Sequence, residues 1–328
     1  MFKKLLFCVI ILFTISCTKE SVKKEFTRII TASGPEDIVL DTKNNRLIVS
    51  CDERRDDKPN IGVMYQISLA TDESKELKMI NFPVIPFHPH GIDFQNVNGT
   101  DFLFVINHYG DALRTTGIEQ FKINADNLEF VREYKNPLLI SPNDITVLPN
   151  GGFYFSNDKN STNILELLLN PNLGSVGFCD GANTWKKVDS FISFPNGMYN
   201  ENNMLYLATS RNHALFSYTI QPDGSLRDKK VLSNINGMDN ITAHGDELVV
   251  AVHPDEIKFA LLSVLPTVFS PSKSYIINKT TGESKVIFSD DGSMLSGGST
   301  SLIYNNTLYL SQVFEGFVLK IENYNIEQ

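Results

Sequence analysis

The sequence predicts an all-β chain folded as a six-bladed β-propeller, on three observations. A short hydrophobic β-type run recurs six times at intervals of about 50 residues, which leaves room for about four short strands per repeat. Each run follows a turn built mostly on Asp, Asn, His or Gly. Long helical periodicity is nearly absent, whereas alternating β-branched and aromatic residues are common.

The six runs begin at Leu47, Leu103, Phe153, Leu205, Leu248 and Leu308. Their turns are Glu36-Asp37-Ile38, His90-Gly91-Ile92, Asn143-Asp144-Ile145, Asn196-Gly197-Met198, Asp239-Asn240-Ile241 and Gly298-Ser299-Thr300. Ten segments read as strands: Asn45–Ser50, Val63–Ile67, Phe102–Ile106, Phe121–Ile123, Gly152–Ser156, Leu205–Thr209, Leu215–Ile220, Leu248–Val252, Ser274–Ile277 and Thr307–Ser311. Turn signals such as Pro149-Asn150-Gly151-Gly152 and Pro222-Asp223-Gly224 separate them. Two segments interrupt the pattern. Asn163–Leu173 carries a short helical apolar stripe, and Glu256–Phe269 is apolar on nearly all sides and broken by Pro266. Each is either a core strand or part of a hydrophobic collar over the tunnel mouth, where long connections on a rigid propeller build ligand contacts.

The N-terminus stands outside the fold. Lys3 and Lys4 form a basic stretch, Leu5–Phe13 an apolar one too short for an ordinary transmembrane helix, and Thr14-Ile15-Ser16-Cys17 a small-residue cleavage site. This resembles a bacterial lipoprotein signal, with Thr14 in place of the usual Leu. It predicts a signal peptide over 1–16, a tether over 17–25 lipidated at Cys17, and one propeller domain over 26–328 of an exported, membrane-anchored protein. The alternative is an ordinary signal peptide with Cys17 left as a free thiol. Loss of Lys3 and Lys4 takes the formal net charge from −9 to −11, which repels nucleic acid and anionic lipid and favours cations. Of the remaining cysteines, Cys51 and Cys179 form no CxxC motif, and an exported chain leaves open whether they pair.

A lone Glu-Asp or Asn-Asp turn is an ordinary turn former, and a lone His is more often structural than catalytic. Recurrence at one blade-equivalent position changes that reading, because such positions converge on the propeller axis. Glu36, Asp37, Asn143, Asp144, Asn196, Asp239 and Asn240 supply seven oxygen-bearing side chains and no Cys. A mixed carboxylate and amide set of that kind suits a hard, oxygen-seeking cation, calcium rather than zinc.

With these turns, the blocks Gly34-Pro35-Glu36-Asp37-Ile38, Pro89-His90-Gly91-Ile92, Val105-Ile106-Asn107-His108, Phe155-Ser156-Asn157-Asp158, Phe194-Pro195-Asn196-Gly197, Val252-His253-Pro254 and Leu295-Ser296-Gly297-Gly298-Ser299 stand in order along nearly all of the mature chain. In these blocks the chain resembles the paraoxonase/arylesterase family, six-bladed calcium-dependent propellers that hydrolyse lactones and aryl esters. The resemblance implies two calcium ions. Glu36, Asn143, Asn196, Asp239 and Asn240 match the ligands of a catalytic ion. Asp37 and Asp144, with the Ile92 carbonyl, match those of a deeper structural one. It implies that His90 and His108 are the catalytic pair that activates water, and that His253 is a further pocket histidine beside an apolar wall of Phe194, Val313 and Phe314. It implies a small lactone or ester as the substrate. No GxSxG nucleophile elbow is present, which speaks against a covalent serine route.

The chain departs from the family's pattern in three places. No Cys lies near Phe26 or Leu319 to tie the first strand to the last, a lipid signal replaces a retained hydrophobic N-terminus, and Glu256–Phe269 is longer and more apolar. Two other readings compete: a non-enzymatic surface propeller that binds a partner with purely structural calcium, and a gluconolactonase-like or strictosidine-synthase-like propeller. The physiological substrate and the oligomeric state are not legible in the sequence.

Overall fold

The computed structural model describes residues 26–55, 62–83, 85–109, 115–159 and 172–324. The signal, Cys17, the tether and nearly all of the Asn163–Leu173 stripe lie outside the described residues. Each of the ten segments read as strands falls in a strand, to within one residue at its ends.

Six sheets form the blades, antiparallel apart from the parallel pairing of the short edge strand Lys78–Ile80 with Asn127–Tyr134 in the second blade, and the innermost strand of each is the one that carries the polar turn. These inner strands are β2 (Pro35–Asp41), β7 (Pro89–Val97), β11 (Pro142–Val147), β15 (Pro195–Glu201), β19 (Met238–His244) and β23 (Gly298–Tyr304). Each touches the next around the axis, and β23 touches β2, so the ring is closed. The apolar runs supply the second strands: β3 (Arg46–Cys51), β8 (Thr100–His108), β12 (Phe153–Asn157), β16 (Met204–Thr209), β20 (Glu247–Val252) and β24 (Thr307–Gln312). Their side chains fill the spaces between blades. Ile48 and Met64 of the first blade, for example, pack with Ile92, Leu103 and Phe121 of the second.

The blade that contains β24 is completed from the other end of the chain. Its outer strand, β1 (Phe26–Ile30), pairs with β25 (Phe317–Ile321), from Phe26 opposite Ile321 to Ile30 opposite Phe317. Ring closure therefore rests on strand pairing, as expected without a disulfide. It is reinforced by Lys320 Nζ on Asp72 Oδ2 at 2.7 Å and by the Ser74 hydroxyl on the Ile30 carbonyl. Cys51 and Cys179 are buried free thiols in different blades.

A feature absent from the sequence reading aims the turns. Every inner strand shifts register against its second strand at its first residues, between Pro35 and Asp37, Pro89 and Ile92, Pro142 and Ile145, Pro195 and Met198, Met238 and Ile241, and Gly298 and Ser301. Four of these strands begin with Pro, which forgoes a ladder hydrogen bond at little cost in that position. A bulge re-aims the side chains within it, so six equivalent bulges turn six polar motifs toward one axis.

Candidate functional site

Glu36, Asn143, Asn196 and Asp239 line one cavity of about 350 Å3 at the end of the tunnel where these strands begin. His90, Arg54 and His253 share its wall, with Phe194, Phe259, Val313 and Phe314 as the apolar part. Asn240 sits behind Glu36 and gives its Nδ2 hydrogens to Glu36 Oε1 at 3.0 Å and Thr300 Oγ1 at 2.9 Å. Asn196 Nδ2 donates to Ser210 Oγ at 3.1 Å, and that hydroxyl donates in turn to the Met238 carbonyl at 2.8 Å. Ser299 Oγ lies 2.9 Å from Glu36 Oε1 and 3.0 Å from Asp239 Oδ2.

These bonds use up the donors and leave acceptors. Glu36 Oε2, Asn143 Oδ1, Asn196 Oδ1 and Asn240 Oδ1 are buried without a hydrogen-bond partner, one oxygen from each of four blades. An unmet buried polar atom costs about 1–3 kcal/mol, so four together need a common partner. A hard cation fits the set, because it takes oxygen ligands only and amides coordinate it without adding charge. Among the described residues no three His, Cys, Asp or Glu side chains assemble a metal site. At the mouth the two carboxylates are completed by amides, and Glu36, Asn143, Asn196, Asp239 and Asn240 are the residues able to hold the ion. Burial pushes the Glu36 carboxyl up to about 7, with Arg54 opposing the shift and Asp239 adding to it.

One residue further along each strand, the tunnel changes character. Asp37, Asp144 and Ile92 line a second cavity of about 220 Å3 that shares no wall residue with the first. Asp37 Oδ2 accepts the Ile92 N–H at 2.8 Å, and Asp144 Oδ2 accepts the Met198 N–H at 2.6 Å, so each carboxylate ties its own blade to the next. Both carboxyls are held well above the usual range, first by burial, then by the charge of Glu36 on Asp37 and of Asp37 on Asp144. Two carboxylates that repel each other inside a buried tunnel form the second place where a cation would be held. The tunnel contains another carboxylate that the sequence reading missed. Asp93, pushed up to about 7 by burial, accepts the Val147 N–H at 2.6 Å.

The histidine pair is assembled as expected: His90 Nδ1 lies 3.0 Å from His108 Nε2. In that contact one ring donates and the other accepts, and the other edge of His90, Nε2, lies 3.7 Å from Glu36 Oε1. Burial, with Arg54 adding to it, holds His90 well below the usual imidazole range and His108 down to about 3, so the pair is neutral. On the opposite wall, His253 Nε2 lies 2.7 Å from Asp239 Oδ2.

Of the two readings of Glu256–Phe269, the collar is the one observed. Its first part is helix α1 (Glu256–Leu262), N-capped by Asp255, whose Oδ1 accepts the Lys258 N–H at 3.0 Å. Glu256, Phe259, Ala260 and Ser263 face the cavity, while Ile257, Leu261, Val264 and Leu265 are exposed on the outside. Sequence reasoning missed Ser299, Thr300, Arg54 and Phe259. The first two occupy the sixth turn, so their place was flagged, but hydroxyls were not counted as groups that orient ligands. Phe259 lies in the Glu256–Phe269 segment, where the apolar collar was expected but no single residue stood out, and Arg54 falls outside any repeat and left no such signal.

The fold is a closed six-bladed ring whose axis collects unpartnered oxygens beside a histidine pair, a propeller with a candidate cation site at its mouth. A family model, Arylesterase, matches residues 53–319, and the chain belongs to the arylesterase family. Glu36 and Asp37 precede the matched segment, so their place at the axis is known from the structure. The chain is 27% identical over 273 residues to serum paraoxonase/arylesterase 2 of Bos taurus and of Homo sapiens, covering 79% of this chain and 75% of each relative. It is 27% identical over 275 residues to serum paraoxonase/lactonase 3 of Oryctolagus cuniculus, with the same coverage. Among solved structures, a putative gluconolactonase superposes with a TM-score of 0.60 at 16% identity, covering 92% of each chain. A luciferin-regenerating enzyme does so with a TM-score of 0.62 at 12% identity, covering 91% of this chain and 95% of its own. At those identities the likeness concerns the fold alone.

Proposed function

We propose that this chain is a calcium-dependent hydrolase of lactones and aryl esters. Membership of the arylesterase family supports an esterase or lactonase acting on a small molecule. The observation that carries the metal dependence is the convergence of four unpartnered oxygens, from Glu36, Asn143, Asn196 and Asn240, beside His90. When bound there, calcium supplies the positive charge that polarises an ester carbonyl. Every other part of the reaction belongs to side chains. His90, which lines the cavity with its Nε2 edge toward Glu36, takes the proton from water, and His108, bonded to its Nδ1 edge at 3.0 Å, holds the ring in place. Phe194, Val313 and Phe314 exclude water and receive the apolar part of the substrate. Asp37, Asp144 and the Ile92 carbonyl are assigned to a second, structural calcium.

The same reading makes the protein a cell-envelope lipoprotein held by Cys17. It is supported by the basic and apolar residues that precede Cys17 in the sequence. The test of the activity is hydrolysis of lactones of graded chain length and of phenyl esters by the purified protein, with added calcium and after chelation. Turnover that is lost on chelation and restored by calcium is the expected result. No turnover of either class with calcium present would leave the partner-binding propeller as the better reading.

A further inference from the structure

We infer that Phe259 is a positioning residue, holding through its ring the imidazole that fixes the metal ligand Asp239. The inference rests on the assignment of Asp239 to the metal. His253 is 4% exposed and makes one side-chain hydrogen bond, from its Nε2 edge to Asp239 Oδ2 at 2.7 Å, while Nδ1 is buried without a partner. One bond leaves an imidazole free to tilt about that contact. Here the ring lies under Phe259, with centroids 3.7 Å apart and planes 24° from parallel, which removes that freedom.

The stack is held from both sides. On the propeller side, the His253 N–H bonds the Gly237 carbonyl at 2.7 Å. Gly237 has φ of +74°, and a Cβ there would meet the His253 carbonyl oxygen at 1.9 Å, so no larger residue lets these segments approach. On the collar side, Leu262, at 2% exposure, packs with Val313 and Phe314 and seats the inner face of α1. Glu256 Oε2, at the start of the helix, lies 3.6 Å from Arg211 Nε. The way the collar sits is thus transmitted through Phe259 and His253 to Asp239, whose Oδ2 otherwise accepts only the Ser299 hydroxyl among the bonds described. Groups behind a metal ligand commonly contribute about 10–100-fold in metal affinity by fixing its orientation. Phe259 also lines the substrate cavity, and a mere wall residue would act on substrate alone.

The test compares Phe259→Ala, Phe259→Leu and Phe259→Tyr in the full chain, titrated with calcium against a fluorescent chelator; the mouth ion is identified as the one lost in Asn196→Ala. Phe259→Leu keeps apolar volume without a ring and serves if the alanine variant folds poorly. We expect the Ala and Leu variants to bind the mouth ion about tenfold more weakly, with lower kcat, and the Tyr variant to keep the parent's calcium affinity. In parallel, NMR follows the His253 ring N–H bonded to Asp239, which should broaden or shift in the Ala and Leu variants alone. Unchanged calcium affinity together with an unchanged His253 resonance, with only KM raised, would reduce Phe259 to a wall. If the parent binds no mouth ion, the proposed function fails, and the His253 resonance still decides whether Phe259 positions the imidazole.

Discussion

Asn240 gives an Nδ2 hydrogen to Glu36 Oε1 at 3.0 Å, joining residues 204 positions apart in the chain. That bond points Asn240 Oδ1 and Glu36 Oε2 into the same unpartnered set, so one residue both supplies an oxygen and orients another. Asn240→Ala should weaken calcium binding at the mouth and lower kcat/KM by on the order of 100-fold. Steady-state kinetics against calcium concentration checks this, and activity within a factor of about three of the parent at saturating calcium would count against the ligand assignment.

His90 stands beside the oxygens without being one of them. His90→Gln should therefore keep the calcium affinity of the parent and lose about 10²–10⁴ in kcat on lactones. Parallel measurement of calcium affinity and turnover separates the two roles. Parental turnover on both lactones and aryl esters would mean that some other group activates the water.

Asp37 acts on stability rather than on rate. It and Asp144 each tie a blade to its neighbour, and an ion bound only by the folded state stabilises it by about 4 kcal/mol at a thousandfold excess over Kd. Asp37→Ala should lower Tm by several degrees in calcium, as strong chelation does to the parent, whereas Asn196→Ala loses activity with a smaller shift. Thermal unfolding of the three samples decides. Equal shifts for both variants would remove the division between a structural and a catalytic ion.

Glu119 gives a pH dependence outside the metal sites. It is fully buried, with Oε1 accepting from Asn107 Nδ2 and the Tyr109 hydroxyl at 3.2 Å each and Oε2 unpartnered. Burial pushes its carboxyl up to about 7, Asn107 opposing and Glu133 adding. The folded value exceeds the unfolded one, so its contribution to stability is full below about pH 4.5 and is lost as pH rises through 7. Glu119→Gln, which keeps the neutral shape, should raise Tm by a few degrees at pH 8 and change it little at pH 4. A variant no more stable than the parent at pH 8 would show that the carboxylate is accommodated when charged.

Cys17→Ser should move the protein from the detergent phase to the aqueous phase in phase partitioning, since one lipidated residue is assigned the whole anchor. Continued entry into the detergent phase would shift attention to the exposed Ile257, Leu261, Val264 and Leu265 of the collar.

The sequence by itself determined the fold class, the order of the blades and the residue types at the axis. Each is a local property repeated six times: an apolar run such as Leu47–Ser50, a turn such as Asn143-Asp144, a length suited to one blade. Outer strands such as β18 (Leu226–Ser233), which is exposed along its charged middle and packed only near its ends, left no such trace, because little of them is buried. The separation of Glu36 from Asp37 into two cavities was decided only by the tertiary structure, since a register shift at each inner strand sends neighbouring side chains to different levels of the tunnel. So was the choice of which oxygens remain free. Asn240 is oriented by Glu36 and Thr300, and Asp239 by Ser299 and by a histidine held beneath Phe259. Those partners come from different blades and from the collar, and they meet only when the ring closes. A pattern read along one repeat carries no information about which side chain of a distant repeat will face it.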